Sequence, residues 1–99
     1  MTIVLWEAQA QVDRKSIFLY LYREAGLPVA KATDEKFMAL TELLVDNPQS
    51  GVVVGKFAKK RKLTVARFPF IMVYVNEPDE VRILRILHTS RKIASRYQQ

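Results

Sequence analysis

Apolar and polar positions repeat with two different periods along the chain. Residues 2–6 are β-branched and apolar and predict a short buried strand. From about Glu7 the apolar residues recur at intervals of three and four, the spacing of an amphipathic helix. Gly26 and Pro28 predict the end of that helix, because glycine takes the left-handed cap conformation and proline does not continue a helix. The pattern therefore predicts a strand followed by a helix.

A second helix is predicted from about Val29 to Val45. Its apolar stripe, with steps of three and four residues, consists of Ala30, Thr33, Phe37, Leu40 and Leu44. Asn47 and Pro48 end it, because the residue before a proline avoids the helical conformation. Two helices joined by a few residues predict an antiparallel helical hairpin.

In the second half of the chain the period becomes that of strands. Residues 52–54 and 63–65 are β-prone, and residues 70–75 and 81–87 are apolar runs long enough for central strands. Residues 76–79 supply the turn between those two runs. The predicted fold class is α+β, in the order β-α-α-β-β-β with a short C-terminal tail. The helical hairpin is expected to pack on one face of a mostly antiparallel β-sheet.

Two arginines interrupt the last apolar run. Arg82 and Arg85 differ in parity, so on a regular strand they point to opposite faces of the sheet. One is expected to face solvent or a target. The other needs a carboxylate, or must extend along apolar surface until its charge reaches water.

Length and composition narrow the class of protein. With 99 residues the chain is expected to form one domain, residues 1–99. It has no cysteine, so disulfides and thiolate metal sites are excluded. The N-terminus reaches Glu7 after four apolar residues, which is neither a signal peptide nor a membrane span. We therefore expect a cytoplasmic protein with no membrane partner.

The charge is distributed unevenly. Residues 1–54 carry five Lys/Arg and seven Asp/Glu, a net charge of −2. Residues 55–99 carry eleven and three, a net charge of +8, so the whole chain carries +6. A basic half attracts nucleic acid or an acidic protein partner. The alternative is a basic surface that is merely solvated.

Motifs of conventional enzymes are missing from the sequence. The segment from Gly51 to Gly55 lacks the lysine-serine ending with which a P-loop holds phosphate and magnesium. One histidine and no cysteine do not build a usual zinc centre. The acidic residues show no paired arrangement. We therefore expect neither a cofactor nor a metal, and hydrolase or metalloenzyme functions are disfavoured.

Two basic clusters are candidates for binding. The segment from Lys56 to Lys62 has five cations in seven residues, which suits phosphates or an acidic groove, although a charged hairpin turn would look the same. The second cluster is Arg91 and Lys92 with Arg96 and Tyr97. If the tail is helical, its basic residues and the tyrosine lie side by side, which suits stacking on a base or anchoring in a protein pocket. A solvated terminus is the alternative.

His88 ends the last apolar run. A histidine at the end of a strand is more often a structural hydrogen-bonding group than a catalyst.

Residues 67–76 (Arg-Phe-Pro-Phe-Ile-Met-Val-Tyr-Val-Asn), followed by residues 81–88 and Arg91, resemble the signature of ParE toxins. In that family an aromatic-rich strand leads into Val-x-Ile-Leu-x-Val-Leu-His-x-x-Arg. The Asn-Pro-Gln-Ser-Gly segment at residues 47–51 is also similar. The resemblance spans nearly the whole chain and implies the ParE/RelE toxin superfamily of type II toxin-antitoxin systems.

That superfamily holds two activities on one fold, so the fold does not choose between them. RelE-type members are ribosome-dependent endonucleases that cut messenger RNA with basic residues and a tail tyrosine. Carried over to this chain, that pattern implies catalytic roles for Lys62, His88, Arg91 and Tyr97. ParE-type members instead poison DNA gyrase. Here Phe70-Ile71 stand where the nuclease pattern has an arginine, and Thr64 stands where it has a second lysine, so the ParE branch is favoured.

The resemblance therefore implies a gyrase-inhibiting toxin without catalytic activity of its own, neutralised by a cognate antitoxin in a hetero-oligomer. The target-binding residues predicted for it are Lys59, Lys60, Arg61, Arg91 and Arg96. The alternative partners are the ribosome and messenger RNA. A third possibility, a nucleic-acid clamp, predicts salt-dependent affinity for naked DNA or RNA.

Overall fold

The computed structural model describes residues 2–56 and 59–89. In this part of the chain the elements are β1 (Ile3–Trp6), α1 (Ala8–Ala25), α2 (Leu27–Asp46), β2 (Val52–Val53), β3 (Lys60–Thr64), β4 (Phe70–Asn76) and β5 (Glu80–His88). This confirms the predicted α+β class with a helical hairpin on a mostly antiparallel sheet. Within the described residues the sheet has five strands, one more than the predicted order, because both β-prone segments before β4 form strands.

A glycine separates the two helices. The Gly26 N–H donates to the carbonyls of Leu21 and Tyr22 at 3.0 and 3.2 Å, and its φ of 94° is one that glycine adopts without strain. This confirms the predicted position of the cap of α1, although a ψ of 167° places Gly26 outside the left-handed helical region that was expected. Pro28 lies in the first turn of α2, where its missing N–H costs nothing, so α2 begins earlier than the predicted Val29. Neither helix in the described part of the chain is long and apolar enough to cross a membrane.

The order of strands across the sheet is β1-β5-β4-β3-β2. β1 runs parallel to β5, whereas the other pairs are antiparallel. Parallel neighbours need a long crossover, and the hairpin of α1 and α2 begins that crossover from the end of β1. The first and last strands described are therefore neighbours, and β1 and β2 are the two edges.

The core lies between the helical hairpin and one face of the sheet. It consists of Ala10, Phe37, Leu40, Leu44, Val65, Phe70, Met72, Tyr74, Val81, Ile83 and Ile86. Every residue of the stripe predicted on α2 is buried. Phe37 and Phe70 meet edge to face, with ring centroids 5.6 Å apart, and so join α2 to β4.

A register shift changes the direction of one arginine on β5. The pairing of β4 with β5 skips Leu84, so that Arg85 lies opposite Val73 while Arg82 lies opposite Val75. Alternate residues on β4 share a face, and residues paired across strands share that face too. The two arginines therefore belong to the same sheet face. The prediction of opposite faces was wrong because it assumed a regular strand.

Asp13 on α1 completes the sheet where β1 stops. β1 ends at Trp6, opposite Ile83, and the Ile86 N–H lies beyond that end. The Asp13 carboxylate accepts this N–H at 3.0 Å and also accepts Nε and Nη2 of Arg85 at 2.7 and 3.1 Å. Only 10% of the Asp13 side chain is exposed. One carboxylate thus fastens the first helix to the last strand.

We expect Asp13→Ala to lower the free energy of unfolding by about 1–3 kcal/mol, because it removes the acceptor of the Ile86 N–H and of two hydrogen bonds from Arg85. Chemical denaturation monitored by circular dichroism measures this change. Glu35→Ala is the matched control, since it removes one negative charge from an exposed position on α2 and should cost less than about 0.5 kcal/mol. Equal effects of the two substitutions would contradict the fastening role.

Candidate functional site

The basic segment predicted to bind a target is largely strand rather than turn. Lys60, Arg61 and Lys62 are the first three residues of β3. Lys59 precedes them, and its Nζ lies 3.4 Å from Oε2 of Glu77, with 66% and 33% of the two side chains exposed. An ion pair this exposed contributes little to stability. Lys59 can therefore exchange Glu77 for an acidic group on a target at small cost.

Strand geometry divides the three cations of β3 between the two faces of the sheet. Lys60 and Lys62 lie opposite Val75 and Val73, so they belong to the face turned away from the helices. Arg61 lies between them and belongs to the face that carries the core. The predicted cluster of Lys59, Lys60 and Arg61 is therefore not one surface.

The face turned away from the helices carries cations on two strands. We call it the basic face and define it by Lys60, Lys62, Arg82 and Arg85. Arg82 forms an ion pair with Glu7, and Arg85 forms one with Asp13. The two arginine side chains remain 48% and 38% exposed despite these partners. The sequence pattern missed this surface because the shift at Leu84 is what brings Arg82 and Arg85 to one side.

The Arg61 guanidinium binds the loop that follows α2. Its Nη1 donates to the carbonyls of Gly51 and Gln49 at 2.7 and 3.3 Å. These bonds hold residues 47–51 against β3. Contact between Arg61 and a target stays a prediction. In the free protein its guanidinium binds backbone carbonyls of the loop.

Tyr74 holds the same loop from β4. Its ring is fully buried, and its Oη donates to the carbonyl of Pro48 at 2.9 Å and accepts the Gly51 N–H at 2.8 Å. A Cβ at position 51 would lie 2.6 Å from the Lys62 carbonyl oxygen and 2.8 Å from the Tyr74 Oη. Only glycine fits there. No sequence pattern predicts this contact, because Tyr74 stands inside an apolar run.

His88 ends β5 beside a shallow groove of about 290 Å³. Its ring meets Phe70 edge to face, with centroids 5.3 Å apart. The groove is lined by Asp13, Ser16, Ile17, Tyr20, Phe70, Arg85, Ile86, Leu87 and His88. Within residues 2–56 and 59–89 no three His, Asp or Glu side chains are grouped as metal ligands.

Three of the predicted site residues, Arg91, Arg96 and Tyr97, lie outside the described residues. Their predicted roles remain predictions from the sequence. Of the residues proposed to bind or cut a target, the structure therefore places Lys59, Lys60, Arg61, Lys62 and His88.

Comparison with known proteins decides the family. The family model described as the ParE toxin of the type II toxin-antitoxin system parDE matches residues 4–93. The chain belongs to the ParE toxin family. The match covers both helices and every strand of the sheet apart from the first residue of β1.

The fold of this ParE-family toxin is also seen in a solved structure described as the chromosomal ParDE TA system from P. aeruginosa. The two chains superpose with a TM-score of 0.78 and are 22% identical, over 91% of this chain and 98% of that one. At this identity the likeness concerns the fold. No curated protein sequence is significantly similar to the chain.

The nuclease pattern does not assemble in the described part of this ParE-family toxin. Lys62 lies opposite Val73, whereas His88 lies opposite Phe70. Val73 and Phe70 are on opposite faces of β4, so Lys62 and His88 are on opposite faces of the sheet. The positions where the nuclease pattern has further cations include Phe70, which is buried in the core.

We expect Tyr74→Phe to lower the free energy of unfolding by about 1–3 kcal/mol, since it leaves the Pro48 carbonyl and the Gly51 N–H without a partner. The difference in unfolding free energy between the wild type and Tyr74→Phe should become smaller at alkaline pH. Burial raises the pKa of Tyr74 above its ordinary value of 10.0, against smaller lowering effects from the Gly51 N–H and Arg61. The folded state therefore keeps a proton that the unfolded state loses, and this contribution to stability is lost as the pH rises above about 10.

Urea denaturation of both proteins at about pH 8 and about pH 11 measures this effect. Tyr22→Phe is the control, because that side chain is 53% exposed and its hydroxyl can be solvated. A Tyr74→Phe protein as stable as the wild type at neutral pH would contradict the role of the hydroxyl.

Proposed function

We propose that this ParE-family toxin poisons DNA gyrase and is neutralised by a cognate antitoxin with which it forms a hetero-oligomer. We propose further that it acts in the cytoplasm as one domain, residues 1–99, without catalytic activity of its own. The observation that carries the proposal is the family match over residues 4–93. The solved ParDE system of similar fold supports it through its description as a toxin-antitoxin pair.

The chemistry of the chain supports gyrase over messenger RNA as the target. RNA cleavage without a metal needs cations around the charged transition state and a group that activates the ribose 2′-hydroxyl. Phe70 and Thr64 carry no charge where the nuclease pattern has cations. Lys62 and His88 are on opposite sheet faces and cannot act on one phosphate together. A toxin that works by binding needs neither group.

The cations of the basic face and Lys59 supply the binding surface in this proposal. The basic face and Lys59 present positive charge on and beside β3 and β5, and the exposed ion pairs of Lys59 with Glu77 and of Arg82 with Glu7 can be exchanged for acidic groups of a target. Arg91 and Arg96 follow β5 in the sequence and are assigned to the same role from the sequence pattern. Arg61 contributes indirectly, by holding the loop at residues 47–51.

The charge of the C-terminal half supports an acidic, flexible antitoxin segment. Residues 55–99 carry a net charge of +8, which complements such a segment and accelerates its encounter with the toxin. A disordered segment can fold as it binds and so cover a large surface. Because exposed charges contribute, the affinity should fall as salt concentration rises.

Purified toxin is expected to inhibit supercoiling by purified gyrase and to leave ribosome-bound messenger RNA intact in primer extension. The double variant Arg91→Ala and Arg96→Ala should abolish the inhibition, whereas Tyr97→Phe should not change it. The matched control is Lys31→Ala with Lys36→Ala, which removes two positive charges from α2. All variants should keep the wild-type melting temperature.

The competing hypothesis, that the toxin is a nuclease, predicts the opposite effects of these variants. Codon-phased cuts in translated message, abolished by Tyr97→Phe and accompanied by unaffected gyrase, would contradict the proposed function.

A further inference from the structure

Arg67 has a backbone conformation that suits glycine better than arginine. Its φ is 71°, and among the residues that the structure describes it is the one non-glycine residue with a positive φ. At such a φ the Cβ atom comes close to the backbone, so this region is populated mainly by glycine, asparagine and aspartate. An arginine in this conformation therefore strains the folded state.

The strain comes from the turn between β3 and β4. The Phe68 N–H donates to the Val65 carbonyl at 3.1 Å and closes a four-residue turn, with Arg67 in its third position. Because Ala66, in the second position, does not have a positive φ, the turn is of type II. That type requires a positive φ at the third position, where glycine or asparagine is usual.

Backbone bonds on both sides of Arg67 hold the turn in this conformation. The Val65 N–H donates to the Phe70 carbonyl at 3.0 Å, and the Phe70 N–H donates to the Phe68 carbonyl at 2.8 Å. Val65 is fully buried, and Phe68 packs against the hydrophobic core. The Arg67 side chain takes part in none of these contacts. The same turn would therefore form with glycine at position 67.

The fold gains no contact from the Arg67 side chain. The residue is exposed, and within residues 2–56 and 59–89 its guanidinium forms no hydrogen bond or ion pair. Another turn of the same chain offers a comparison, since Gly55 has nearly the same φ, 72°, and a Cβ there would meet nothing within 4 Å. At position 55 the chain has the unstrained residue, whereas at position 67 it keeps an arginine.

The turn lies beside the end of β5. The Thr89 N–H donates to the Pro69 carbonyl at 2.8 Å, which joins the turn to the residue that follows β5. From Thr89 the chain continues to Arg91 and Arg96, which the sequence pattern assigns to target binding. Arg67 thus adds a positive charge at the place where the chain leaves the sheet toward those two arginines.

We infer that Arg67 is a target-contact residue of this toxin and that it binds a carboxylate on the surface of gyrase. This inference rests on the proposed function. Strained backbone conformations concentrate at functional sites, where they hold a group in place before its partner arrives. With its Cα–Cβ bond fixed by the turn, the guanidinium loses less freedom when it forms two parallel hydrogen bonds with a carboxylate.

A carboxylate of the protein suits Arg67 better than a phosphate of the DNA that gyrase holds. Duplex DNA carries one negative charge about every 1.7 Å along its axis, so a flexible cation finds a phosphate without being fixed in place. A carboxylate on a folded protein has one position. A strained conformation at a single residue therefore matches a single, fixed acceptor.

Arg67→Gly and Arg67→Asn remove the guanidinium and the strain together. Because both residues adopt a positive φ readily, the melting temperature should rise by about 4 °C. The same variants should need at least about tenfold more toxin to inhibit supercoiling by purified gyrase by half, as expected when a charged contact is lost. A variant that loses inhibition through misfolding would instead melt at a lower temperature.

Two further substitutions serve as controls. Gly55→Ala places a side chain at the same φ in open space, so it should lower the melting temperature and leave the inhibition of gyrase unchanged. Arg67→Lys keeps the charge but does not form two parallel bonds with one carboxylate. It should therefore inhibit gyrase less strongly than the wild type and more strongly than Arg67→Gly.

The outcomes separate this inference from the proposed function. A wild-type toxin that does not inhibit gyrase contradicts both, whereas the melting temperatures test the strain without gyrase. If the wild type inhibits gyrase, and Arg67→Gly inhibits equally well or melts at a lower temperature, the inference alone fails. If Arg67→Gly loses affinity for a short naked DNA duplex as strongly as it loses inhibition, the ligand of Arg67 is a phosphate, and the inference is also overturned.

Discussion

The parallel pairing of β1 with β5 is the constraint on which the rest of the structure depends. It brings the first strand of the chain beside the last strand described, so α1 must leave the end of β1 and begin a crossover. Asp13 extends this join beyond β1 by accepting the Ile86 N–H and the Arg85 guanidinium. Among the described strands, the same arrangement leaves β1 at one edge of the sheet.

Polar side chains in this toxin divide into those that hold the fold and those that face outward. Tyr74 and Arg61 fasten the loop at residues 47–51 to the sheet, through the Tyr74 hydroxyl and Nη1 of Arg61. Lys59 and Arg82 instead form exposed ion pairs that contribute little to stability. These exposed cations can therefore bind acidic groups of a target without destabilising the fold. This is what a toxin that acts by binding requires.

The fold was predictable where the period of the pattern was strong. The stripe of α2 and the strands at residues 70–75 and 81–87 were predicted, because an element that is buried on one or both faces has apolar residues at a regular spacing or in a continuous run. The skipped residue Leu84 was not, since an apolar run of mixed residues contains no sign of a register shift. The start of β3 at Lys60 was missed because lysine is depleted in strands. The contact of Asp13 with Arg85 joins residues far apart in sequence and has no local signal.

The most direct test of the proposed activity is to look for DNA cleaved and held by gyrase. Purified toxin, gyrase, ATP and supercoiled plasmid are incubated together, and the reaction is stopped with detergent and protease. We expect linear plasmid that appears only when both toxin and gyrase are present and that disappears when the antitoxin is added first. Plasmid that remains intact at toxin concentrations that arrest growth would contradict it.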